Sequence, residues 1–286
     1  MMAVESLWEW TRRHPWRAGL GFLAIAAIFA WISVVAQTAR TDRNWVEHLA
    51  VMPVVEMRED GFALGPATDW TYDANGPTAK NTVSFAAAYA DLRNVWLMVE
   101  PQPGQPYAAH TLVLFEFTDD RIIGLTVEAR REENEDYDAV AGFFNKFELA
   151  YIWSTSKELL ARRAVFLKKD IYVYPLALTE KQESDFLKAL LAKTIDVEKK
   201  PRFYNTATSN CTNELAKTAK LEWHYSWILT GYAPKRLFDT GIIPGASFEA
   251  EKESASMGDF IRASNGLSSR EFDHALLAEL RKRNGE

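Results

Sequence analysis

The chain has 286 residues, 48% of them hydrophobic and 13% aromatic, which excludes a mainly disordered polypeptide and allows one large domain or two small ones. With 33 basic against 39 acidic residues the net charge is −6, so an overall basic nucleic-acid surface is excluded. A single cysteine excludes an intrachain disulfide framework and any multi-cysteine zinc or iron–sulfur site.

In chain order, the first element is residues 18–36 (AGLGFLAIAAIFAWISVVA), a stretch without charge and close to the ~20 residues that span hydrocarbon as a helix. Trp8, Trp10, Trp16, Trp31 and Trp45 are five of the ten tryptophans, and all lie near it, as indole rings do at a headgroup boundary. Arg12, Arg13 and Arg17 precede the run, whereas Arg40 and Arg43 follow it. This bias places segment 1–17 in the cytoplasm, a transmembrane helix at 18–37, and the remainder on the far side. A cleaved signal peptide is the rival, with Val34 and Ala36 as the small residues at the cleavage site. Thr11-Arg12-Arg13 makes a poor twin-arginine signal, because Pro15 follows and the expected Lys does not.

Residues 38–60 read as a polar exit with short extended pieces around Pro53, Val54 and Val55. Residues 61–82 read as a loop with turns at Gly65-Pro66 and Gly76-Pro77. A buried strand is expected at 95–99, then a turn-rich loop at 101–106 (PQPGQP). The runs 110–117 (HTLVLFEF) and 122–128 (IIGLTVE) flank a short polar turn and predict an antiparallel hairpin. Residues 137–147 have helical spacing through Val140, Phe143, Phe144 and Phe147. Strands are expected at 149–153 and 171–176.

Thr179 and Gln182 form a capping box that opens a helix with Phe186, Leu187, Leu190, Leu191 and Ile195 inward. Residues 204–210 (YNTATSN) are a polar loop, and Cys211 begins the next helix. The run 241–245 (GIIPG) reads as an ordinary packed loop, or else as a lid that dips into lipid. Ser268 and Glu271 cap a final helix with Phe272, Leu276 and Leu280 inward. The fold class is α+β, an antiparallel sheet with packed helices, behind one N-terminal membrane helix.

Cys211 sits where chemistry is favoured. A thiol in a first helical turn faces unpaired amides and the positive end of the helix dipole, both of which stabilise thiolate. Those amides would also stabilise an oxyanion. Strand-borne His110 is the natural base. A three-residue hairpin turn sets Glu128 opposite His110, where its carboxylate would fix the imidazole tautomer; a two-residue turn sets Ala129 there instead. The bland alternatives are a buried structural cysteine, a hydrogen-bonded surface histidine and a solvated charge run at 128–132. His14, His48, His224 and His274 are scattered without ligand spacing, so no metal or other cofactor is implied.

The strings HTLVLFEF, GLTVEARREENEDYDAVAGFFNKFELAYI, DIYVYPL and YNTATSNCT resemble the Lnb N-terminal periplasmic domain family over about residues 45–220. The resemblance implies a circularly permuted papain-like domain of the NlpC type, in which a His-bearing strand precedes a Cys-bearing helix. Residues 221–286 would then be a helical extension packed on it. The resemblance further implies lipoprotein N-acyltransferase chemistry, with Cys211 as nucleophile, His110 as base and Glu128 as orienting carboxylate. Tyr204 and Asn210 of the last motif, and Arg130 and Arg131 of VEARRE (127–132), become candidate supporting residues, the arginines as contacts for lipid phosphate. Ser209 and the pair Asn213-Glu214 depart from the family pattern around the cysteine, and the divergent C-terminal part leaves the acyl acceptor open.

The expectation is therefore a periplasmic, inner-membrane-anchored cysteine acyltransferase or hydrolase with a phospholipid or lipoprotein ester as substrate and no nucleic-acid partner. A cysteine peptidase or amidase acting on cell-wall peptide, and a non-catalytic anchored binding domain, are the alternatives. Oligomeric state is left open.

Overall fold

A computed structural model describes residues 9–285, apart from the side chains of residues 30, 31 and 33–35. Trp8 and the side chains of Trp31 and Val34, which entered the membrane and signal-peptide readings, lie outside the described residues. The chain divides into two compact units, residues 1–39 and 40–286.

The first unit contains helix α1 (Pro15–Val35) over the apolar run. Leu20, Phe22, Leu23, Ile25, Ile28 and Phe29 are all exposed on it. Among the described residues no helix is long and apolar enough to cross a membrane.

The second unit is α+β. After α2 (Glu47–Ala50) come β1 (Val54–Met57), β2 (Gly61–Asp73), β3 (Gly76–Ala88), β4 (Leu92–Gln102), β5 (Gln105–Phe117), β6 (Ile122–Arg130) and β7 (Glu148–Thr155). Then follow α3 (Ser156–Ala161), a π turn at Arg162–Phe166, β8 (Tyr172–Pro175), α4 (Glu180–Lys199), α5 (Cys211–Thr218) and α6 (Ala233–Asp239). The chain ends in α7 (Phe248–Ser254), α8 (Gly258–Ala263) and α9 (Ser269–Arg283). Among the described residues the eight strands form one sheet in the order β1-β2-β7-β6-β5-β4-β8, with β3 on β2. Its pairs are antiparallel except for one parallel contact, Thr68 with Ser154 between β2 and β7.

Strand alternation divides the core into two layers. Val113, Phe115 and Phe117 of β5 pack with Phe186, Leu187, Leu190 and Leu191 of α4 and with α5. Leu112 and Leu114 of the same strand pack on the other face against Leu159, Leu160, Phe272, Leu276 and Leu280. The C-terminal helix thus covers the sheet directly, and buried Glu116 ties to it through Arg281 Nη2 at 2.7 Å. Both anticipated capping boxes form, Thr179–Gln182 and Ser268–Glu271. Ile195 is only half-buried, whereas Thr194 and Val197 complete the inner face of α4.

Two expectations are corrected. Residues 61–82 are no loop: they form most of the long β2–β3 hairpin. Pro66 lies in the register shift between Leu64 and Ala67, where a missing amide breaks no ladder bond. The turn occupies residues 74–75, so Pro77 opens β3. Residues 137–147 do not make an amphipathic helix; only Ala141–Phe144 form a 3₁₀ turn, closed by Asn145 in the left-handed region at φ 56°. Val140, Phe143 and Phe144 are exposed, so the helical spacing there does not mark a core face. The GIIPG run is a packed loop, as its first reading has it: Ile243 is buried and Ile242 packs on the same core.

Candidate active site

The β5–β6 hairpin takes the three-residue-turn register. Leu112 pairs with Thr126 and Phe115 with Ile123, and the ladder stops at Leu112. One step beyond, on a shared face, His110 Nε2 meets Glu128 Oε1 at 3.1 Å and Thr126 Oγ1 at 2.8 Å. The Thr126 hydroxyl donates to Glu128 Oε1 at 2.7 Å, so toward the imidazole it accepts. Nε2 therefore carries the hydrogen, and Nδ1 is the nitrogen left to serve a thiol.

Cys211 opens α5. Asn210 is its N-cap: Oδ1 accepts from the Asn213 amide at 2.8 Å, while Nδ2 donates to the carbonyls of Thr206 and Trp227. Those three bonds fix where the helix begins. They leave the Cys211 and Thr212 amides, in the first turn, outside the helix's own ladder. The sulfur is buried at 4% exposure and packs on the α4–α5 side of the sheet. The His110 imidazole and Thr111 lie close enough to act on its charge, and Thr212 Oγ1 is its hydrogen-bond partner at 3.8 Å. Cysteine, imidazole and carboxylate thus come together at the point where the β5–β6 ladder ends.

The charges reinforce one another. Burial alone would push the Cys211 thiol up, but the facing imidazolium and Thr111 outweigh it and bring the thiol to about 7. Burial alone would push His110 down, but Glu128 and the Cys211 thiolate raise it to about 10. Burial would likewise push Glu128 up; the His110 charge and hydrogen bond, Arg163 and Thr126 hold it well below the usual carboxylate range. At neutral pH the arrangement favours a thiolate–imidazolium pair backed by an ionised carboxylate.

The supporting candidates separate. Asn210 shapes the helix start. Buried Tyr204 places its hydroxyl 3.3 Å from that of Tyr137; burial, then the Cys211 and Glu128 charges, push it well above its ordinary value. Arg130 is buried and turned inward, donating to the carbonyls of Leu49 and Ala50 and lying over the Trp45 ring. It faces no ligand. Arg131 is half-buried, and its carbonyl accepts from the Val46 amide.

Four residues of the site were not singled out from the sequence: Thr111, Thr126, Glu100 and Arg163. Thr126 had a signal, since it sits two positions before Glu128 on the same strand face. Arg163 had none. Beside the site lies a cavity of about 650 Å³ between the sheet, α4, α5 and α6. Its lining is mainly apolar, with Val113, Phe186, Leu215, Ala216 and Trp227 among the side chains. It reaches Thr111 and Thr212, whose hydroxyls lie 2.9 Å apart, and Thr212 Oγ1 is 3.8 Å from the sulfur.

Comparison with family models matches residues 81–227 to the Lnb N-terminal periplasmic domain, a span that contains all of these residues. No curated protein and no solved structure matches the chain.

Proposed function

The chain belongs to the Lnb N-terminal periplasmic domain family, and on that premise we propose that it is a periplasmic, membrane-anchored cysteine acyltransferase or hydrolase acting on a lipid or lipoprotein ester. The observation that carries this reading is the meeting of Cys211, His110 and Glu128: His110 Nε2 bonds Glu128 Oε1 at 3.1 Å, and imidazole and sulfur act on each other's charge. In the first half-reaction the Cys211 thiolate attacks the ester carbonyl carbon. A C–S bond forms, the C–O bond breaks, and His110 Nδ1–H protonates the departing alkoxide. In the second, an amine or water attacks the thioester while His110 takes its proton, and the sulfur leaves as thiolate. The first-turn amides of α5 would stabilise the oxyanion in both steps.

The apolar cavity, lined at its near end by Thr111 and Thr212 beside Cys211, favours a hydrocarbon acyl donor over a peptide, whose amides would find few polar partners there. In this reading the apolar run 18–36, several of whose side chains lie outside the described residues, serves as a single-pass inner-membrane anchor with its N-terminus in the cytoplasm. An anchor keeps the enzyme at high effective concentration to its lipid esters.

The test is intact-protein mass spectrometry after brief exposure to p-nitrophenyl decanoate and, separately, to a p-nitrophenyl ester of a short peptide. A decanoyl mass on wild type, absent from Cys211→Ala, is expected. A peptidyl adduct in preference to decanoyl would move the assignment to a peptidase. No adduct of either kind, with normal in-cell function of Cys211→Ala, would leave a non-catalytic anchored domain.

A further inference from the structure

His110 has a carboxylate on each side. Glu128 faces it from β6, and Glu100 is its ladder partner on β4. Alternation puts Glu100, His110 and Glu128 on one face of the sheet. Two acids beside one imidazole is more negative charge than a proton-relaying base needs, because both would hold its proton.

Between the acids lies Arg163. Its side chain is 3% exposed; Nε is 3.0 Å from Glu100 Oε2, and Nη2 is 3.1 Å from Glu128 Oε1. Nη1 donates to the Leu159 carbonyl at 3.0 Å. The residue is delivered by the π turn Arg162–Phe166, whose extra residue resets the direction of the side chains that follow α3. That helix lies close on the sheet because residue 124 is glycine: a Cβ there would collide with the Leu159 and Leu114 side chains. Neighbouring Arg162 turns instead to His48 Nε2 at 2.9 Å. His48, driven to about 3 by burial and then by Arg162, is a neutral acceptor. The charged and titratable groups around His110 are thus Glu100 on β4, Glu128 on β6, Cys211 on α5 and Arg163 on the π turn, with Arg162, His48 and Tyr204 behind them.

We propose that Arg163 is a positioning residue that bridges the two carboxylates flanking His110 and keeps Glu100 from competing with Glu128 for the imidazole. The proposal rests on the reading of Cys211 as nucleophile. Arg163 touches neither sulfur nor substrate; it acts through the two acids. Arginine suits the task, because its fork spans two carboxylates and it keeps its charge when buried. With Arg163 gone, two uncompensated acids would hold the imidazole proton and oppose a second negative charge on sulfur.

The test is the pH dependence of Cys211 alkylation by iodoacetamide in the intact protein, for wild type, Arg163→Met, Glu100→Gln, the double variant and Arg163→Lys. Arg163→Met should move the thiol inflection up by about one pH unit or more. Glu100→Gln should move it down. The double variant should return it close to the wild-type position, and Arg163→Lys should leave it nearer wild type than Arg163→Met does. A folded Arg163→Met protein with an unmoved inflection overturns the proposal, as does a double variant displaced as far as the single. Should Arg163→Met fail to fold, the charge-balanced double variant and Glu100→Gln carry the test, and a Glu100→Gln inflection that stays put or rises overturns the proposal. A wild-type thiol titrating like free cysteine, near ~8.5, would sink the nucleophile reading and this proposal together. A lowered wild-type inflection with an indifferent Arg163 would sink this proposal alone.

Discussion

Glu128 and His110, on neighbouring strands, share one hydrogen between Oε1 and Nε2 across 3.1 Å, two residues past the last backbone pair of those strands, Leu112 with Thr126. The backbone gap and the side-chain bond belong together: where the ladder ends, the imidazole can reach past the strand to the sulfur of α5.

Replacing His110 by Gln removes the cation that offsets burial of the thiol. The alkylation inflection of Cys211, expected at about 7 in the wild type, should rise above the free-cysteine value of ~8.5 in this variant. Stopped-flow alkylation between pH 5 and 10 measures this. An unchanged profile would show that Thr111 alone stabilises the thiolate.

Glu128→Gln keeps shape and loses charge. The rate of thioester formation should fall by ~10²–10⁴. Stability should respond to pH as well. A carboxyl held below its unfolded value of ~4.3 contributes fully above that pH, and the contribution is lost as pH falls through the folded value. The denaturation-midpoint gap between wild type and Glu128→Gln should therefore close on acidification. Urea titrations at pH 7, 5 and 3 are the check.

Asp273 behaves oppositely. It accepts from Ser156 Oγ and from the Ile122 amide, and burial pushes its carboxyl up to about 7. A raised carboxyl is most stabilising when protonated. Wild type should therefore lose stability relative to Asp273→Asn as pH climbs from ~4 toward about 7. A midpoint difference that does not vary over that window would argue against a neutral Asp273.

Ala189 of α4 lines the apolar cavity. Ala189→Trp should cut reaction with a decanoyl ester ~10-fold or more, because the pocket loses room for several methylenes. Reaction with acetyl ester should stay nearly unchanged. Equal losses for both esters would mean that the acyl chain lies elsewhere.

Elements with local signatures were legible in the sequence. The capping side chains of α4 and α9 are three residues apart, and the Cys-bearing helix follows a run of turn formers. The hairpin was visible as two β-rich runs, although two registers stayed open until the backbone chose one. Residues 61–82 misled because proline and glycine suit both a turn and an irregular strand, and β2 uses them at a register shift. In 137–147, only Phe147 of the apolar spacing reaches the core, while Val140, Phe143 and Phe144 stay in solvent. Arg163 was hidden for a different reason. Its meaning depends on a π turn and on two acids from strands far away in sequence, none of which leaves a periodic trace.

Because Nε2 of His110 is gripped by two oxygens at once, the ring is denied a half rotation about its Cβ–Cγ bond. Such a flip would present carbon to both acceptors. Protons can thus enter and leave this imidazole by a single doorway, on the sulfur side, and the fold needs no separate device to stop the ring from discharging in the wrong direction.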